Sequence, residues 1–277
     1  MWSDMAVAAK DLGLADLAAT AMRVAESASE LVARVRASAV GDVDTKSSET
    51  DVVTAGDKAA ERLVRDELAR LRPGEVVLGE EAGASGEPEP GAVCWVVDPI
   101  DGTVNYLYGF PWFAVSVAAQ IDGVSVAGAV VEPASGRRWS AVRGQGATLD
   151  GVALRTSAAD RLELSLVATG FGYRAQRRAR QAAAVAKLLP EVRDIRRAGA
   201  ASLDLCAVAA GCVDGYCEHG LNRWDWAAGA LIAEEAGAVV RLPSDDAPLG
   251  ADAVFAAAPG IADRLQETLL RCGFGEI

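Results

Sequence analysis

The chain is nearly without histidine. His219 is the single one among 277 residues, which leaves little room for Ser-His-Asp or Cys-His catalysis and none for a multi-histidine zinc site. Cysteine is sparse and odd in number: Cys94, Cys206, Cys212, Cys217 and Cys272, with no C-x-x-C pair. Neither a disulfide framework nor a zinc site is expected, and reduced thiols in the cytoplasm fit better. No apolar run approaches the roughly 18 residues of a membrane helix. The opening MWSDMAVAAKDLGL has neither the basic nor the apolar region of a signal peptide. Cations are in deficit, 27 against 39 acids, for a net charge of -12. That balance argues against nucleic acid or an anionic membrane as the main partner. It would also repel a phosphate substrate unless bound cations intervened. The catalytic equipment that remains is carboxylates and hydroxyls.

What is present falls into two patterns. The length allows one large domain or two modest ones. Apolar positions at helical spacing run from Asp4 to Arg36, with Gly13 a break point. GDVDTKSSETD then reads as a mobile loop, and Thr54 as the N-cap of a helix that ends before Pro73-Gly74. EVVLGEE is a short strand. AVCWVV has no polar alternation, which predicts a strand buried on both faces and stopping at Asp98. FAVSVAAQI, VSVAGAVVE and RRWSAV, joined by Asp122-Gly123 and PASG, predict a β-meander, and GQGATLDG a turn region. Beyond this, strand-like LSLVAT, VRDIRR and VDGYCE alternate with helix-like QRRARQAAAVAKLL, SLDLCAVAAG and DWAAGALIAEEAG. AVVRL, VFAAA and a last helix from Pro259 to Arg271 close the chain. A soft boundary near residue 155 therefore separates an antiparallel α+β half, 1–155, from an α/β half, 156–277. Arg174, Arg177, Arg178 and Arg180 are expected to form a solvated helix face.

Acids stand at the ends of apolar elements in four places: Asp57, Glu80-Glu81, the pair Asp98 and Asp101 around Pro99-Ile100, and Asp225. Each also fits a bland role. Asp57 lies three residues after Thr54, as the acid of a capping box does. Asp225 suits the first turn of a helix. Asp98-Pro99 and Asp101-Gly102 suit turns, and Glu80-Glu81 a solvated strand end. Taken as one site, they are hard oxygen donors of the kind Mg²⁺ prefers. D-P-I-D lets two carboxylates and the Ile100 carbonyl project from one turn, and Gly102-Thr103 offers amides for a phosphate. The D-x-D-G-T signature of aspartate-nucleophile phosphatases fails here, because Pro99 stands two residues before Asp101. A metal-activated water is the better nucleophile.

DPIDGTVN, with LGEE upstream and WDWAAG downstream, resembles the inositol monophosphatase family. KSSETDVVTAGD and RRAGAASLDLCAVAAGCVDGYCEHGLNRWD resemble other segments of that family, in the same order over nearly the whole chain. The resemblance implies an α-β-α-β-α layered sandwich, of mixed α+β and α/β character, and Mg²⁺-dependent, lithium-sensitive hydrolysis of a phosphate monoester. It implies that Glu80, Asp98 and the Ile100 carbonyl hold a first ion and Asp98, Asp101 and Asp225 a second, with Glu80 aiding a weaker third. Thr103 and Asp57, with Glu80, would act on the attacking water, and the amides of Gly102 and Thr103 would hold the phosphate. Ala201 and Glu218 match positions that contact inositol hydroxyls, where Asp101 and Asp225 add contacts, and Lys46 matches a loop lysine near the site. A homodimer is implied as well. The sequence departs from the family at Ala200, where a Ser or Thr often follows the glycine. His219 adjoins Glu218 but has no evident metal partners. The leading expectation is hydrolysis of inositol 1-phosphate. Histidinol phosphate, fructose 1,6-bisphosphate or a nucleotide 3′-phosphate are alternatives with the same chemistry, and a non-catalytic regulatory protein is an alternative of another class.

Overall fold

The computed structural model describes residues 13–39, 43–45 and 52–277. Helix α1 (Leu14–Ala39) is followed by a short antiparallel pair, β1 (Val43–Thr45) and β2 (Val52–Thr54), and by α2 (Ala55–Leu71). Then come β3 (Val76–Gly79), β4 (Gly83–Ala84), β5 (Val93–Asp101), α3 (Thr103–Tyr108), β6 (Ala114–Ile121), β7 (Val124–Val131), β8 (Arg138–Val142), β9 (Gly146–Leu149) and β10 (Val152–Ala153). The rest comprises β11 (Leu166–Thr169), α4 (Ala175–Leu188), β12 (Asp194–Arg196), α5 (Ala201–Ala209), β13 (Gly215–His219), α6 (Arg223–Glu235), β14 (Val239–Arg241), β15 (Ala253–Ala257) and α7 (Ala262–Cys272).

These elements stack in five layers. An eight-stranded sheet, in the order β10-β9-β8-β7-β6-β5-β3-β4, carries α1 and α2 on one face and α5 and α6 on the other. The far side of α5 and α6 meets a five-stranded sheet, β12-β11-β13-β15-β14, and α4 and α7 cover its outer face. This is the α-β-α-β-α sandwich. Strand β5 illustrates the cause. All nine of its residues are buried because both faces are covered: Trp95 and Val97 face α1 and α2, while Cys94 and Val96 face α5 and α6. Helix α1 buries Leu17, Ala21, Val24, Ala28 and Val32 at helical spacing. The middle layer is built from small residues. A Cβ on Gly229 of α6 would stand 3.0 Å from the Ser202 carbonyl and the Leu205 Cβ of α5. The close crossing brings the N-termini of both helices to one place. Residue 155 lies between the two sheets, but α5 and α6 pack on the first of them, so the core is continuous across it. Among the described residues no helix is long and apolar enough to cross a membrane.

The structure differs from the sequence reading in four places. GQGATLDG is not merely a turn: β9 and β10 extend the meander, with Leu149 opposite Trp139 and Val152 opposite Leu149. Part of GDVDTKSSETD is strand, because Val43–Thr45 pairs with Val52–Thr54; residues 46–51 lie outside the described residues, as do residues 1–12. Strand β5 does not stop at Asp98. It runs to Asp101, with a register shift between the two acids, since Pro99 has no N–H for the ladder. The arginine run of α4 is not simply solvated. Arg174, Arg177 and Arg180 line a cavity, and Arg177 pairs with Asp252 at 2.6 Å.

Candidate active site

The C-terminal end of β5 meets the N-terminal ends of α2, α3, α5 and α6, and a cavity of about 870 Å³ opens there. Glu80, Asp98, Ile100, Asp101, Gly102, Thr103, Ala201, Glu218 and Asp225 all line it. Residues separated by as much as 145 positions are thus gathered in one cavity. Lys46 lies outside the described residues.

The bulge in β5 turns both of its acids inward. Asp98 accepts a hydrogen bond from the Ile100 amide at 3.1 Å. Burial and the fields of Glu80, Asp101 and Asp225 hold its carboxyl well above the usual carboxylate range. Asp101 accepts from the Ser202 amide at 2.7 Å, the Ala201 amide at 3.2 Å and the Ser202 hydroxyl, all at the start of α5. Burial pushes Asp101 up to about 6 against the pull of those donors. Asp225 closes a capping box on α6 by accepting the Asn222 amide, and burial with the fields of Glu80 and Asp101 raises it well above the ordinary range.

Gly102 follows with φ of +88°, a left-handed conformation that only glycine adopts without strain. A Cβ there would stand 3.1 Å from the Ala200 Cβ and the Trp112 carbonyl. Thr103 opens α3, and its hydroxyl lies 3.1 Å from Asp57 Oδ1 and 3.0 Å from the Ile100 carbonyl. Asp57 is fully buried behind it. Its other oxygen takes the Thr54 amide at 2.7 Å and the Thr54 hydroxyl at 2.6 Å. One oxygen of Asp57 thus completes the capping box with Thr54, and the other meets Thr103.

Glu218, on β13, lines the same cavity. The buried Tyr216 hydroxyl donates to it at 2.8 Å, and a Cβ on Gly170 would fall 1.9 Å from its carboxyl carbon. Burial pushes Glu218 up to about 7, while Tyr216 and Arg197 pull the other way. His219 is buried, with Nε2 2.7 Å from the Leu249 carbonyl and its ring 6.0 Å from that of Phe274. Burial lowers its pKa, and these contacts give it a packing role at the edge of the cavity.

Among the described residues no three acidic, thiol or imidazole side chains already close around a point as a metal cage does. The reason is visible in their contacts: Asp101 and Asp225 are turned onto helix N-terminal amides. The donor chemistry nonetheless fits a hard divalent cation. Asp98, Asp101 and Asp225 line the cavity with Glu80, and the fields of these neighbouring acids help raise the pKa of all three aspartates, which a cation between them would reverse. Three contributors were not singled out in the sequence. Ser202 orients Asp101, Tyr216 orients Glu218, and Asn105 Nδ2 holds the Ala198 carbonyl at 2.8 Å. Only Tyr216 carried a local signal, its two-residue spacing from Glu218 on one strand face.

The model of the inositol monophosphatase family matches residues 14–272. A Mycobacterium leprae protein named inositol-1-monophosphatase is 56% identical over 239 residues, 83% of this chain and 82% of that protein. An Escherichia coli K12 protein named Nus factor SuhB is 41% identical over 221 residues, 79% of this chain and 82% of that protein. A solved structure of Mycobacterium tuberculosis SuhB superposes with a TM-score of 0.80 at 45% identity, covering 94% of this chain and 97% of that one.

Proposed function

The chain belongs to the inositol monophosphatase family, and from that premise we propose that it is a Mg²⁺-dependent phosphatase acting on inositol 1-phosphate or a close relative of that ester. The observation that carries the reading is the gathering of Glu80, Asp98, Asp101 and Asp225 on one wall of a cavity that also holds Glu218. Glu80, Asp98, Asp101, Asp225 and the Ile100 carbonyl would hold two ions, with Glu80 available to a third. Mg²⁺, when bound, acidifies water and offsets the negative charge of the ester.

The chain's own residues do the rest. The left-handed turn at Gly102 directs the Gly102 and Thr103 amides to the phosphate. The Thr103 hydroxyl accepts a proton from the attacking water and passes its own to Asp57 Oδ1, within hydrogen-bond reach at 3.1 Å. Asp57 is screened from solvent, so the proton it takes is not lost to bulk water. At the leaving-group end, Glu218 accepts hydrogen bonds from polyol hydroxyls, and Ala201, Asp101 and Asp225 line its approach. Ala200 offers no hydroxyl there, so Glu218 carries more of the recognition. A cytoplasmic homodimer belongs to the same reading, and light scattering of the purified chain checks the dimer.

The test is a substrate panel. Phosphate release is measured from inositol 1-phosphate, histidinol phosphate, fructose 1,6-bisphosphate and a nucleotide 3′-phosphate, with Mg²⁺ and with or without lithium. Preference for inositol 1-phosphate, with inhibition by lithium, supports the reading. Preference for another ester replaces the substrate and keeps the site; release from none supports a non-catalytic role.

A further inference from the structure

We propose that Glu61 is a positioning residue that sets the affinity of the site for Mg²⁺ by fixing the backbone on either side of Glu80. The inference rests on the reading of Glu80 as a metal ligand. Glu61 lies on α2 one turn after Asp57 and one turn before Arg65, so the three share a stripe of the helix. That stripe faces the end of β3. Glu61 is buried to 2% exposure, and its carboxylate does not point to another side chain's hydroxyl or to solvent. Oε2 accepts the Glu81 amide at 2.7 Å, and Oε1 accepts the Ala82 amide at 3.0 Å. Arg65 Nε donates to Oε1 at 2.8 Å, and the same guanidinium reaches the Val77 carbonyl at 3.4 Å and the Gly83 carbonyl.

Two successive amides in a tight turn have no ladder partner, and a carboxylate with two oxygens is the side chain that satisfies both. The fit is close. A Cβ on Gly79 would stand 2.4 to 2.7 Å from the Glu61 carboxylate, so β3 lies directly on it. Glu80's own amide donates to the Val97 carbonyl at 3.2 Å, one residue before Asp98. The backbone at Glu80 is therefore held on one side by the strand that carries Asp98 and on the other by the helix that carries Asp57. Without Glu61 the turn from Glu80 to Gly83 has to be ordered when an ion binds, and the ordering cost is taken from affinity. Loss of such an orienting contact typically weakens metal binding about 10–100-fold.

The test is calorimetric titration of MgCl₂ into the metal-stripped, full-length chain. Glu61→Gln offers one acceptor oxygen and turns an NH₂ group toward an amide, so its Mg²⁺ affinity is expected to fall about 10–100-fold. Its turnover is expected to recover as Mg²⁺ is raised, which a merely destabilised fold does not do. Val64→Ala, a cavity in the apolar core under the same helix that removes none of the bonds to the Glu81 and Ala82 amides, is the control: a lower melting temperature with unchanged Mg²⁺ affinity is expected. Should Glu61→Gln fail to fold, Arg65→Gln loosens the same clamp and is expected to weaken Mg²⁺ binding several-fold. Wild-type affinity in the folded Glu61 or Arg65 variant overturns the inference alone. So does an equal loss in Val64→Ala. A wild-type chain that takes up no Mg²⁺ overturns the metal reading and the inference with it.

Discussion

Asp57 joins the fold to the proposed chemistry, and replacing it separates the two. Asparagine keeps the shape but offers one acceptor oxygen where the carboxylate has two. If that oxygen faces Thr54, it keeps the bonds now at 2.7 and 2.6 Å, and the NH₂ donates to the Thr103 hydroxyl, which still reaches the Ile100 carbonyl. Only charge-assisted strength is lost, about 1–2 kcal/mol. Alanine leaves the Thr54 cap on the Gly56 and Asp57 amides but takes the acceptor from the buried Thr54 amide and hydroxyl, at about 1–3 kcal/mol each. At about 2–4 °C per kcal/mol, alanine should melt several degrees below asparagine. The rate follows the other oxygen. Neither variant can take a proton from Thr103, so both should lose about 10²–10⁴ in kcat. Thr103→Val should lose a similar factor while leaving the α2 cap intact. Scanning fluorimetry and phosphate release at saturating Mg²⁺ read both quantities. Wild-type kcat in Asp57→Asn refutes the proton path, and equal melting of the two variants refutes the cap geometry.

Other outcomes follow from the same contacts. Gly170→Ala puts a Cβ 1.9 Å from the Glu218 carboxyl carbon, so Glu218 must move; KM for inositol 1-phosphate should rise about tenfold with little change in kcat, as one recognition contact of about 1–2 kcal/mol is lost. Glu218 has a folded-state pKa near 7 against an ordinary 4.5. The folded state thus binds the extra proton between those values, and wild type should lose stability relative to Glu218→Gln as pH rises from about 5 to about 7. Melting of the two proteins in chelator across that range checks the sign; a gap that moves the other way contradicts it. Cys212 is exposed while Cys94, Cys206, Cys217 and Cys272 are buried, so one thiol should react rapidly with a thiol reagent under native conditions and five after denaturation. Two or more fast thiols would show that the packing around the others is wrong.

Local chemistry was legible in the sequence and assembly was not. D-P-I-D announced itself because a proline between two acids after an apolar run is a conflict within a few residues, and Thr54 with Asp57 because a capping box spans only three. Period-2 and period-3.6 patterns located most elements for the same reason. GQGATLDG hid β9 because a strand this short takes its pairing from β8, which the segment itself does not reveal, and β10 just beyond it pairs in turn with β9. The arginines of α4 read as solvated because their spacing gives a face but not what the face meets; Asp252 is 75 residues away from Arg177. Glu61 was silent because its partners are backbone amides about 20 residues on, which have no letter in a sequence. The convergence of Asp57, Glu80, Asp98 and Asp225 is a property of the layers, and the sequence alone reached it only through resemblance to a family.

The measurement that bears most directly on the central claim is phosphate release from inositol 1-phosphate across a Mg²⁺ titration, with wild type beside Asp98→Asn. Asp98 is the acid most deeply embedded among the other carboxylates, and the fold needs it for no helix cap. The account predicts a folded Asp98→Asn variant that needs far more Mg²⁺ and turns over at least about a hundredfold more slowly, as loss of metal-held charge stabilisation implies. Normal Mg²⁺-dependent turnover by that variant would mean that the carboxylates at the end of β5 are not a metal site.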